Sequence, residues 1–246
     1  MVINFSSASL QGNKIKVGKL VLAFVGFFLV LFPVFGDAQQ NLFNVPSADI
    51  TGPGQFFFQQ QFNFLIASSA TSNTTLDYGL GHGLEVGLNL FNLDMQETDG
   101  ILQNPHFLLN FQKGFTLSEN YKISFGTQTG VTPPLYHGLV EVPSFSYLHN
   151  AVNLKEWGKY YLGGYFANKA YASKNEFGFM VGMEYPLLEN KLHLMGDFVS
   201  GDTDISVGVL GAVLFLPHDW QLSLGAQLPS PTSNNDYGMV FEITKL

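Results

Sequence analysis

Leu76-Asp77-Tyr78-Gly79-Leu80-Gly81-His82-Gly83-Leu84-Glu85-Val86-Gly87-Leu88-Asn89-Leu90-Phe91-Asn92-Leu93 is the stretch that sets the fold. Leu76, Tyr78 and Leu80 alternate with Asp77 and Gly79, and Leu84, Val86, Leu88 and Leu90 alternate with Glu85, Gly87 and Asn89. Period-two alternation on both sides of a short glycine turn predicts a β-hairpin. One face is almost purely apolar, while the other carries glycine, amide and carboxylate. A soluble β-sandwich buries its apolar face and shows water a charged one. A face of Gly, Gln, Asn and Ser suits a lumen better.

The same unit recurs in both directions. Upstream, Phe56, Phe58, Phe62, Phe64 and Ile66 alternate with Gln55, Gln59, Gln61 and Asn63. Downstream, strands are expected near 106–113, 121–131, 144–154, 160–168, 177–185, 192–198, 205–215, 220–227 and 237–244. Alternation leaves inside and outside unassigned in 144–154 and 160–168, because both faces are mixed. The connections alternate as well. Those near 67–74, 92–104, 132–143, 169–175, 201–203 and 229–236 are longer or more polar than those near 81–83, 114–120, 155–159, 187–190 and 216–218. Membrane barrels have short turns on one side, long loops on the other and an even strand count. The expectation is an all-β, antiparallel up-and-down transmembrane β-barrel over residues 54–246 with about twelve strands; ten or fourteen also fit. Phe58, Phe62, Leu88, Val181, Val209, Leu222 and Phe241 are expected to face lipid, with Gly208 turned to the lumen. Aromatics near strand ends, such as Tyr78, Trp157, Trp220 and Tyr237, read as interface girdles.

Composition agrees. Of 246 residues only 12% are charged, and 24 are Phe, whereas soluble domains carry about 25% charged residues. All 11 basic residues are Lys and the net charge is −8, which disfavours a nucleic-acid partner. The absence of Cys excludes disulfides, thiolate metal sites, cysteine nucleophiles and a lipid-anchored cysteine.

Lys14, Lys16 and Lys19 precede an apolar run from Leu20 to Gly36, and Gly36 and Ala38 occupy small-residue positions before Gln39. This is a signal-peptide pattern over 1–38. The run is 17 residues long and contains Pro33, which is short for a helical span of about 20. Cleavage leaves eight Lys against eighteen acidic residues, a net of −10. Residues 39–53, with Pro46 and Pro53 and no sustained alternation, are expected to form a periplasmic lead-in; a short plug is the sharper alternative. An exported, apolar chain without helical spans enters a membrane as a closed barrel.

With Tyr78-Gly-Leu, Leu84-Glu-Val-Gly and an aromatic-rich last strand, the chain resembles a bacterial outer-membrane β-barrel. The hairpin resembles the small transporter-like barrels of the phenol-degradation pathway family. The resemblance implies outer-membrane lipid and the barrel-assembly machinery as partners. Such barrels usually end in an aromatic residue, whereas this chain ends Lys245-Leu246 with Tyr237 and Phe241 further in.

Strand parity turns Asp77, Glu85, Glu184, Asp197 and Glu242 inward, with Lys122 as the lumenal cation. Five acids against one base predict a weak cation preference in an open pore. His193 and Asp197 share a face about 13 Å apart, too far for a dyad. His106 and His149 are candidates for the lumen. His-Glu-x-x-His, Gly-x-Ser-x-Gly and calcium-loop patterns are absent, so no catalytic residue, metal or cofactor is assigned. The expected function is passive passage of small solutes through an outer-membrane channel. The alternative is a closed barrel with a structural or surface-interaction role, with an outer-membrane enzyme a more distant third.

Overall fold

The computed structural model describes residues 41–66, 70–95, 104–136 and 138–246; the signal-peptide region lies outside them. Twelve antiparallel strands follow in chain order: β1 (Phe56–Leu65), β2 (Ala70–Gly81), β3 (Leu84–Asp94), β4 (His106–Ser118), β5 (Tyr121–Val131), β6 (Ser144–Asn153), β7 (Lys159–Ala167), β8 (Phe177–Leu188), β9 (Leu192–Val199), β10 (Val207–Leu216), β11 (Trp220–Pro229) and β12 (Gly238–Lys245). Each pairs with its sequence neighbours. The first and last close the barrel in a register from Phe58 opposite Lys245 to Leu65 opposite Gly238. Closure leaves no free edge, which hydrocarbon would penalise by several kcal/mol per unpaired group.

The alternation has the physical meaning the sequence suggests. Adjacent residues Leu108 and Leu109 are 2% and 64% exposed, because one faces the interior and the other the outside. Leu88, Leu148, Leu162, Phe179, Leu210, Leu224 and Met239 are exposed likewise, forming an apolar band that water would not tolerate and lipid would. On β6 and β7, where alternation alone was undecided, Phe145, Tyr147, His149, Tyr161 and Tyr165 are the buried set.

Two boundaries move. The second strand starts at Ala70 rather than after Thr74, and the fourth runs on to Ser118. Both extensions are rich in Thr and Ser, which pair in a ladder without marking a face.

The two expected faces of β10 are exchanged, so that Gly208, expected toward the lumen, lies on the outward face with Leu210. Val209 points inward with Val207, Val213 and Phe215, all nearly fully buried, while Leu210 is exposed. Both faces of this strand are apolar, so its alternation carries no sign. Val209 pairs with Asp197, which also faces inward.

Residues 41–53, expected as a lead-in outside the barrel, differ most. Leu42, Phe43, Val45, Ser47 and Ala48 are all buried, and the segment folds into the lumen as a plug. It enters past the turn-side end of β2, where the Gly54 N–H donates to the Gly79 carbonyl and the Gly79 N–H donates to Gln55. The approach is so close that a Cβ on Gly79 would collide with the carbonyls of Thr51 and Gly52. The segment reverses over 42–45, where Leu42 N–H bonds the Val45 carbonyl and Asn41 pairs with Pro46. Leu42, Phe43 and Val45 join the cluster containing Val207, Val209, Val213, Met180 and Met195. The inward valines of β10 thus cover the apolar tip.

Candidate functional site

The plug is held by the acids that the sequence points inward. Asp197 Oδ2 accepts the backbone N–H groups of Asn44 and Val45, at 2.5 and 2.8 Å. Glu85 Oε2 accepts both the N–H and the hydroxyl of Thr51, each at 2.8 Å. These are charge-assisted bonds, stronger than neutral ones. Gln112 Nε2 donates to the Ser47 carbonyl at 2.6 Å, and Tyr147 donates its hydroxyl to Gln112 Oε1 at 2.5 Å. Asn41 Nδ2 reaches Gln59 Oε1 at 3.4 Å.

Asp49, on the plug, makes the ionic anchor. Its two oxygens lie 2.6 Å from Lys122 Nζ on β5 and 2.6 Å from Lys159 Nζ on β7. Burial alone would raise its pKa, but the two ammonium groups outweigh burial and hold the carboxyl below its ordinary value.

The remaining inward acids do not touch the plug. Asp77 accepts from Asn110 Nδ2 at 2.9 Å. Glu184 pairs with His193 Nδ1 at 2.6 Å. Glu242 is fully buried, in register between Gln61 and Ser223. Of the six candidates, the five acids are buried and Lys122 is half-exposed, and Glu85, Asp197 and Lys122 serve the plug. Lys159 and Asp49 were not anticipated. Lys159 shares its face with Tyr161 and Tyr165, a parity hidden by aromatics on both sides of that strand. Asp49 lies in a segment without periodicity.

The other mouth is narrowed by two loops. Residues 168–176 and 200–206 are joined by the Ala172–Thr203 bridge and by Asp202, which accepts from the Ser173 hydroxyl and the Asn175 N–H. Asp204 Oδ2 receives Asn92 Nδ2 at 2.7 Å and lies 2.8 Å from His106 Nε2. The other ring nitrogen of His106 contacts Thr132 Oγ1. Tyr171 packs against His106 and Phe145. Outside this constriction lies a vestibule of about 400 Å³ lined by Glu141, Lys169, Asp202, Asp204 and several asparagines. Between constriction and plug are cavities of about 50 and 40 Å³, room for a few waters.

Ser124 Oγ and His149 Nε2 are 2.7 Å apart, but both are buried beneath the plug and His149 Nδ1 has no partner to orient the ring. Among the described residues no three His, Asp or Glu side chains gather as a metal site.

The KdgM porin in complex with disordered oligogalacturonate superposes with a TM-score of 0.56, covering 77% of this chain and 98% of that one at 6% identity. The chain has a porin-like fold. Identity this low carries the fold and nothing about cargo. No family model and no curated protein matches the chain, so the likeness to the phenol-degradation group rests on the hairpin residues alone.

Proposed function

We propose that the chain is an outer-membrane conduit for small solutes, passive and unpowered, whose N-terminal segment closes the lumen. The observation that carries this reading is the chemistry of the interior. Much of the inner wall is built from amides, hydroxyls and carboxylates, with the inward valines of β10, Met180 and Met195 forming an apolar sector against the plug tip. Neither amide atom of Asn89 or Gln221 finds a partner among the described residues, whereas an interior built only for packing leaves few such groups. The plug is attached through hydrogen bonds and one ionic anchor, which are reversible.

A weak cation preference is part of the proposal. When the plug withdraws, Glu85 and Asp197 are released into the lumen with Asp77, Glu184 and Glu242, against Lys122 and Lys159. No enzymatic role is proposed.

A second reading is a permanently closed structural barrel, favoured by the apolar packing of Leu42, Phe43 and Val45. Planar-bilayer recordings separate the two. The conduit reading expects rare, small openings from the full chain and larger, steady steps when residues 41–50 are removed. Silence from the shortened chain would support the closed barrel.

A further inference from the structure

The charges inside the barrel are unevenly distributed. Lys122, Lys159 and Glu85 lie at or next to the turn-side ends of β5, β7 and β3. Around the plug tip, the wall is different. The cavity there is lined by Gln59, Gln61, Asn73, Asn110 and Gln128, with Phe91, Phe145 and Tyr147 beside them; the nearby carboxylates are already engaged, Asp197 by the tip's Asn44 and Val45 N–H groups and Asp77 by Asn110. A carboxamide both donates and accepts hydrogen bonds, and aromatic rings offer flat apolar faces next to those polar groups. Alternating hydroxyls and C–H faces match that combination; an isolated charge does not.

Two further observations bear on what fits there. First, Gln59 Nε2 and Asn110 Oδ1 are buried with no partner among the described residues, so one donor and one acceptor on this wall are uncommitted. Second, the plug tip itself brings amides to the wall: Asn41 bonds Gln59, and Asn44 lines the same cavity. The tip fills the place with the chemistry that the wall accepts. The vestibule above adds a filter, since Glu141, Asp202 and Asp204 outnumber Lys169 among its lining residues and disfavour the approach of anions.

We propose that the conduit takes uncharged, hydroxyl-rich solutes of saccharide type, which pass along the amide-lined wall of β1–β5 at the place now filled by the plug tip. The proposal rests on the conduit reading and names its cargo. It also separates this chain from its structural neighbour, whose bound oligogalacturonate is acidic. A neutral saccharide meets donors and acceptors along this wall, whereas a uronate first meets the acids of the vestibule and finds no arginine beyond them.

The test is swelling of proteoliposomes carrying the Asp197→Ala chain, in which the tip loses the acceptor for Asn44 and Val45. Urea, maltose and digalacturonate are compared, the last two being close in size. The expected result is swelling in urea, and swelling in maltose several-fold faster than in digalacturonate. Gln59→Leu with Asn110→Leu should slow maltose about fivefold and leave urea unchanged. Gln128→Leu, at a less buried position, gives a second measure if the double variant does not assemble. Swelling in urea with digalacturonate as fast as maltose, or maltose indifferent to these changes, overturns the saccharide assignment and leaves the conduit standing. No swelling in any solute from an assembled barrel overturns the conduit, and this proposal with it.

Discussion

Asp49 and Lys159 are separated by 110 residues in sequence and by 2.6 Å in space. Their contact, shared with Lys122, ties the entering segment to two strands on the far side of the barrel from β1. Lys159 is 14% exposed and Lys122 38%, so the two halves of the clasp are unequal. Removing one partner of a buried pair costs about 3–5 kcal/mol, whereas an exposed pair is worth about 0–1 kcal/mol. Lys159→Met should therefore loosen the plug by about 1–3 kcal/mol and Lys122→Met by less than about 1 kcal/mol. Protease cleavage within residues 41–55 of the assembled barrel measures both, and equal effects would refute the ranking.

The same clasp gives a pH dependence. The docked Asp49 has a pKa below its free value of 3.8. Its contribution is fully present above the free value and is lost as pH falls through the docked one. The clasp's share of plug seating should stay constant from pH 7 down to about 5 and weaken below about 4, seen as a rise in channel opening there. Asp49→Asn should remove most of that rise and give a higher opening probability at neutral pH. Raised salt should act in the same direction, because the half-exposed Lys122 contact is screened.

Closure of the barrel has its own signature. With β1 bonded to β12 there is no edge at which unfolding can start. Unheated protein in SDS should migrate apart from boiled protein. Identical mobility would contradict a closed barrel.

Orientation in β10 can be checked by charge. Leu210 is 62% exposed toward the lipid side and Val209 is 2% exposed toward the plug. Leu210→Lys should cost about 2–4 kcal/mol of barrel stability if that residue lies near the bilayer midplane. Val209→Lys should instead spare much of the barrel and expel the tip, since the new ammonium would sit among Phe43 and Val45 beside Asp197. Urea unfolding in bilayers reports the first effect and protease access to the plug the second.

Ion selectivity is the fifth test. Reversal potentials in a salt gradient should favour cations once residues 41–50 are removed. Glu85→Gln with Asp197→Asn should diminish that preference. Anion preference in the shortened chain would show that the inward acids do not border the path.

How much of this was legible in the sequence follows from where periodicity exists. Glu85, Asp77 and Glu242 alternate with Leu, Tyr, Phe and Ile, so their inward direction could be read. In β10 both neighbours of any residue are apolar, and the direction of Val209 depends on Asp197 across the strand pair, a relation no single stretch contains. The plug was least legible. Its prolines interrupt alternation, and Leu42, Phe43 and Val45 look like any apolar cluster until inward valines are placed opposite them. Gly79, read only as a position on the polar face of a strand, is needed because backbone passes over it.

The reversal at residues 42–45 has a practical corollary for anyone handling the protein. Asn41 sits beside Gln59, well inside the pore, so whatever is fused just ahead of it must also be housed within the pore or exit through one of its mouths. A purification tag at that end would compete with the segment's seating. The same tag placed after Leu246 emerges next to the Asp219 turn and touches nothing inside. Two preparations differing only in tag position would then behave as an open and a shut protein.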